Sequence, residues 1–155
     1  MAGMNADFIN PFLMSATKIM QEICQTEMKI GKPYVKTTEF ENESVAVMIG
    51  ITGELKGQVI MAFELNKALD VASKMMMGMP VTALDDMSIS AISELGNMIM
   101  GNAATIFSTK GILIDITPPT VCRGNLTIAQ SFAQNICVPL SGGDITIELD
   151  VAVKA

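Results

Sequence analysis

From Leu84 to Lys110 the chain keeps a helical pattern without interruption, and this stretch limits what the rest can fold into. Pro80 stands before it, and Gly111 and then Pro118-Pro119 stand behind it, so both helix ends are marked. With about 100° of rotation per residue, Ile92, Leu95, Ile99, Ala103 and Ile106 gather into a stripe that must face a core. Ser90, Glu94, Asn97 and Gly101 fall on the opposite side, within an arc of roughly 60°. A helix this long needs a broad apolar surface to cover its stripe, and the flanking segments supply strands that can provide one.

Before it, Asn5 to Glu27 has helical spacing, with Phe8, Phe12, Ile19 and Ile23 on one face. Asn5 and Asp7 are possible caps, and Pro11 is tolerable only in the first turn. Gly31-Lys32-Pro33 breaks the pattern, and strands are expected over Tyr34–Phe40, Val45–Ile51 and Gln58–Leu65. Thr52-Gly53-Glu54 and Lys56-Gly57 join the last two as a hairpin. Asn66 is expected to cap a short helix to Met77 that buries Leu69, Ala72 and Met76. The tract Met75–Met79 reads as filling for core gaps, the other reading being an adaptable binding surface. Asp85 and Asp86 suit the positive end of the long helix. As neighbours pointing about 100° apart, they cap rather than form an acid–base pair. Beyond it, Ile112–Ile116 reads as a strand stopped by Pro118-Pro119, and Arg123-Gly124-Asn125 as a turn. Ile128–Leu140 and Ile145–Val153 read as a second hairpin across Ser141-Gly142-Gly143-Asp144. The expected architecture is one α+β domain over residues 1–155: a two-layer fold in which an antiparallel sheet of about six strands carries long helices on one face. Its halves each run helix then hairpin, a pseudo-twofold plan.

Half of the 155 residues are hydrophobic and mean hydropathy is +0.43, yet no apolar run reaches the ~18 residues a membrane span needs. The N-terminus shows no basic-then-apolar signal pattern. A cytoplasmic protein without membrane association is expected. The apolar surplus suggests a face buried against a second copy, hence a homodimer; a well-filled monomer core would also account for it. A net charge of −6 with scattered basic residues argues against a nucleic-acid partner. There is no histidine, and Cys24, Cys122 and Cys137 are too far apart for a metal knuckle. Histidine-based catalysis is therefore excluded, and no metal site of the chain's own is expected. The glycines sit in turns rather than in a strand–helix phosphate loop.

The polar strip remains. Glu94 and Asn97 are three residues apart, so their side chains leave the helix as neighbours. A carboxamide can hold water by donating and accepting hydrogen bonds, and a carboxylate can pair with a partner's lysine. Gly101, one turn on, removes a side chain and lets another surface approach, at a cost near 1 kcal/mol of helix propensity. The same residue types also make up an ordinary solvated helix face.

Ser90-x-x-x-Glu94-x-x-Asn97, in the context SELGNMIMGNAAT, resembles the active-site helix of the CheC/CheX/FliY chemotaxis phosphatases, and its single copy is most similar to the CheX-like members. The resemblance extends to Ile9-Asn10-Pro11-Phe12, the Gly50–Gly57 hairpin, Gly101-Asn102-Ala103 and the Pro139-Leu140 region. It implies a phosphatase acting on the phosphoaspartate of a CheY-like response regulator. By that resemblance Glu94 would pair with the regulator's lysine and Asn97 would orient water for in-line attack. Ser90 and Gly101 would support partner binding. Mg2+ would belong to the partner receiver domain, with no cofactor in this chain. The family's proline about 22 residues past the Asn has Thr120 in its place, with Pro118 and Pro119 just before. Where CheC-type members carry a second motif on the first helix, this chain reads Lys18-x-x-x-Glu22-x-x-Gln25, which lacks the pattern. That helix is therefore expected to be structural. The competing readings are a non-catalytic receiver-docking module of the same fold and an unrelated α+β domain.

Overall fold

The computed structural model describes residues 6–34, 39–127 and 135–155. The elements run α1 (Ala6–Cys24), β1 (Lys29–Ile30), β2 (Glu39–Gly53), β3 (Lys56–Glu64), α2 (Leu65–Met75), α3 (Asp86–Thr109), β4 (Ile114–Ile116), β5 (Thr120–Thr127), β6 (Ile136–Gly142) and β7 (Ile145–Lys154). All strand pairs are antiparallel, in the order β1-β6-β7-β3-β2-β4, and β5 also pairs with β2. β2 is long enough for two short partners on its outer edge: β5 reaches Met48↔Thr120, and β4 takes over at Ile51↔Ile116. The order reads the same from either end once β1 is matched with β4, β6 with β2 and β7 with β3. The pseudo-twofold thus runs between β7 and β3, and each half lends its short strand to the hairpin of the other.

Alternation along the strands builds the layers. Val45, Val47, Ile49 and Ile51 of β2, Val59, Met61 and Phe63 of β3, and Leu149, Val151 and Val153 of β7 share one core with all three helices. A smaller cluster, Ala46, Ile60 and Ala62 with Met48, lies on the other face. From α3, Ile92, Leu95, Ile99, Met100 and Phe107 are fully buried. Burial of each such side chain contributes about 1.5–3 kcal/mol. The expected stripe is therefore the buried one, except that Ile106 is only half-buried and Phe107 takes the deeper place. None of the described helices is long and apolar enough to cross a membrane.

Several local expectations change. α1 is helical from Ala6, so Pro11 sits inside the helix rather than in its first turn; its buried ring forgoes one rung of the ladder and gains core packing. Asn5 lies outside the described residues. Asn66 does not cap α2: β3 runs straight into the helix, Glu64 is the N-cap residue without a side-chain bond, and Asn66 is exposed. The buried face of α2 is Ala68, Val71 and Ala72, with Leu69 and Met76 half-buried. The methionine tract is only partly core: Met75 packs against it, whereas Met77 is 96% and Met79 56% exposed. Met77 occupies the left-handed position that closes α2, with φ 60°. Gly78 N–H then bonds the Ser73 carbonyl at 2.8 Å and Met77 N–H the Lys74 carbonyl at 3.3 Å, a Schellman ending. Arg123-Gly124 is strand rather than turn; β5 passes through it, with Gly124 at φ 118°. Tyr34 makes an isolated bridge to Cys137, residues 35–38 lie outside the described set, and Glu39-Phe40 belong to β2. The described part of the expected Ile128–Leu140 strand begins at Ile136, and 128–134 lie outside the described residues.

Candidate active site on helix α3

Four contacts fix α3. At its start Asp85 accepts from Ser88 N–H at 2.9 Å, and the Ser88 hydroxyl accepts from Asp85 N–H at 2.8 Å. This reciprocal cap satisfies two of the helix's orphan donors. The Ser88 amide and hydroxyl hold the Asp85 carboxyl below its ordinary value. In the middle, Gly96 lies flat on the sheet: a Cβ there would come within 2.9 Å of Val47 Cγ1. Against α1, the buried Ser15 hydroxyl donates to the Ile99 carbonyl and accepts from Asn102 Nδ2 at 3.0 Å. Nearer the end, Phe12 and Phe107 meet edge to face, centroids 5.2 Å apart.

Anchored on its buried side, α3 holds Ser90, Glu94 and Asn97 exposed on the other, with Gly101 half-buried one turn on. Neither Glu94 nor Asn97 makes a side-chain hydrogen bond or ion pair with another described residue. Ser90, Glu94 and Asn97 line one groove of about 510 Å³ together with Ile89 and Ser93. Its far wall is Ile116, at the end of β4, with Thr117, Pro118 and Pro119 of the connection to β5. The two prolines thus stand across the groove from the strip, although neither occupies the position where the family pattern has its proline. Gly101 is outside the groove lining, and a Cβ on it would meet nothing within 4 Å. Packing within the chain gives no reason for a glycine there.

Sequence reasoning missed Ser93 and the wall. The wall belongs to a later segment, whose prolines read as strand breakers lying just before the family's proline position; their distance past Asn97 was the available signal. The α1 counterpart also needs correction. Superposing the buried stripes of the two helices, Ile9, Phe12, Leu13, Ala16 and Met20 on Gly96, Ile99, Met100, Ala103 and Phe107, places Asp7 opposite Glu94 and Asn10 opposite Asn97, both exposed. Lys18, Glu22 and Gln25 are not the equivalent positions, and Gln25 lies past the helix end with φ 49°.

Chemically the strip offers an amide, a carboxylate and a hydroxyl, all open to a visitor. Among the described residues no group of three His, Cys, Asp or Glu side chains could hold a metal ion. The cysteines are free thiols, with Cys24 and Cys137 buried.

The family model described as Chemotaxis phosphatase CheX matches residues 45–141, which include most of β2, all of β3, both later helices and the groove wall. A curated relative, the CheY-P phosphatase CheX of Thermotoga maritima, is 37% identical over 153 residues, covering 98% of this chain and 99% of its own. Among solved structures, a CheC-like superfamily protein from Shewanella sp. PV-4 superposes with a TM-score of 0.87 at 34% identity, covering 98% of this chain and 100% of that one. The CheX–CheY–BeF3–Mg2+ complex from Borrelia burgdorferi matches with a TM-score of 0.81 at 30% identity, covering 97% and 100%. A two-layer α+β frame with an open polar strip on its central helix, matched over nearly its whole length by proteins of one kind, belongs to the CheX family of chemotaxis phosphatases.

Proposed function

We propose that this phosphatase hydrolyses the phosphoaspartate of a CheY-like receiver domain, using Asn97 to hold the attacking water and Glu94 to pair with a lysine of the receiver. One observation carries the reading: an amide and a carboxylate one turn apart, both exposed on a groove and engaged by no other described side chain. The water oxygen bonds to phosphorus as the aspartyl oxygen–phosphorus bond breaks. The receiver's carboxylate and inorganic phosphate leave, the phosphate carrying both of the water's protons as dihydrogen phosphate. Such transfer needs chiefly alignment and charge stabilisation, so a neutral amide that orients water is sufficient and no histidine or metal is required from this side. Mg2+ is assigned to the receiver; the solved complex of the Borrelia relative contains that ion together with CheY and BeF3. Ser90 supports the partner contact from the same groove, and Gly101 leaves room for the approaching surface. A homodimer working in the cytoplasm is the proposed setting, supported by the apolar surplus of the sequence.

The test is phosphate release from a phosphorylated receiver domain. Asn97→Ala should lower turnover on the order of 100-fold with little change in receiver affinity. Glu94→Ala should lower both turnover and affinity. If Asn97→Ala hydrolyses at the wild-type rate, the water-holding role is wrong. If the wild-type protein binds receivers without shortening the life of their phosphate, the chain is a docking module.

A further inference from the structure

We infer that Thr117 is a positioning residue of this site: it ties the Pro118-Pro119 wall to the sheet edge, setting the height at which a receiver domain is seated against Asn97. This rests on the reading of Asn97 and Glu94 given above. Prolines have no N–H, so Pro118 and Pro119 cannot join the ladder on the outer edge of β2, and regular pairing there lapses between Ile51↔Ile116 and Met48↔Thr120. Thr117 fills the gap with backbone and side chain together. Its N–H donates to the Gly50 carbonyl at 3.0 Å, and its hydroxyl accepts from Gly50 N–H at 2.8 Å. The same hydroxyl donates to the Pro118 carbonyl at 3.4 Å. One side chain therefore replaces the missing rung and holds the first proline.

Gly50 is matched to this task. A Cβ on it would sit 3.1 Å from both Thr117 Oγ1 and Cγ2, so the bare backbone is what lets the threonine come down onto the edge. The pinned wall faces Ser90, Ser93 and Asn97 across the groove. Its apolar side, exposed Pro118 with half-buried Ile116 and Pro119, offers a docking surface, while the amide opposite does the chemistry. A wall free to shift would change the depth of docking, and in-line attack is sensitive to displacements of about 1 Å.

Thr117→Val keeps the shape and removes the hydroxyl, whereas Thr117→Ser keeps the hydroxyl and removes the methyl. In steady-state phosphate release, Thr117→Val should raise KM for the phosphorylated receiver on the order of five- to tenfold and change kcat less. Thr117→Ser should restore KM to near wild type. Amide exchange at Gly50 should quicken in Thr117→Val but not in Thr117→Ser. Gly50→Ala, which pushes on the threonine from beneath, should raise KM independently. Combined with Thr117→Val it should add little, since both act through one contact. A wild-type KM in Thr117→Val and Gly50→Ala, with turnover still impaired in Asn97→Ala, would overturn the inference and leave the phosphatase reading standing. Hydrolysis unimpaired in Asn97→Ala would remove both.

Discussion

Gly101→Ala should make the enzyme more stable and less active. The residue lies inside α3, where glycine costs about 1 kcal/mol of helix propensity relative to alanine. Around it there is open space, since an added Cβ would meet nothing within 4 Å, so no packing penalty offsets the gain. Unfolding in urea should show a stability increase of about 1 kcal/mol, and Tm should rise about 2–4 °C. Gly96→Ala is the internal control, in the same helix with the same propensity gain. Its Cβ would lie 2.9 Å from Val47 Cγ1 and 3.5 Å from Ile49 Cδ1, and a β-branched valine pinned in the sheet yields little. That variant should be no more stable than wild type. For activity, the methyl added at position 101 stands one turn from Asn97, on the surface proposed to meet a receiver. A displaced partner should lower kcat/KM about tenfold, equivalent to about 1.4 kcal/mol. A stabilised Gly101→Ala with unchanged kcat/KM would show that the bare backbone is not kept for a partner. A destabilised one would show that the space is not open.

Other expectations are independent of the partner. The Asp85 cap stabilises α3 fully above the ordinary carboxylate range and loses its effect as pH falls through the lowered folded value. Asp85→Asn, which can still accept the Ser88 N–H, should flatten the decline of Tm as pH falls below the ordinary carboxylate range. Met77→Gly should stabilise the protein by roughly 1 kcal/mol in urea unfolding, because the left-handed turn at φ 60° disfavours a side chain that is 96% exposed. Burial pushes the Cys24 thiol up, and the Cys137 thiol up to about 12. At pH 7 both should resist a thiol-disulfide reagent until the chain is unfolded in denaturant, when they should react as free thiols.

What could be read from the residues alone follows the range of the forces involved. Both hairpins were legible, because glycine turns and alternating Val, Ile and Phe are local signals. The long helix and its acidic start were legible for the same reason, as was the strip Ser90, Glu94, Asn97. Features that depend on a distant neighbour were not. Arg123-Gly124 reads as a turn until β2 offers an edge to pair with. Pro118-Pro119 ends a strand by rule, yet here it only splits one, because the Thr117 hydroxyl carries the ladder past it. The counterpart of the strip on α1 was sought at Glu22 and Gln25 because their spacing looked similar. The burial patterns of the two helices instead match at Asp7 and Asn10, a register that shows only once both buried faces are known. The groove wall was hidden likewise, lying on a connection that meets α3 only in three dimensions.

The exchange of short strands has a mechanical meaning. Since β1 is held by β6 and β4 by β2, neither half of the chain can close its own sheet. Cutting the connection between α2 and α3 should leave two fragments that each lack an edge and half a core, so the molecule should come apart in one step rather than half by half.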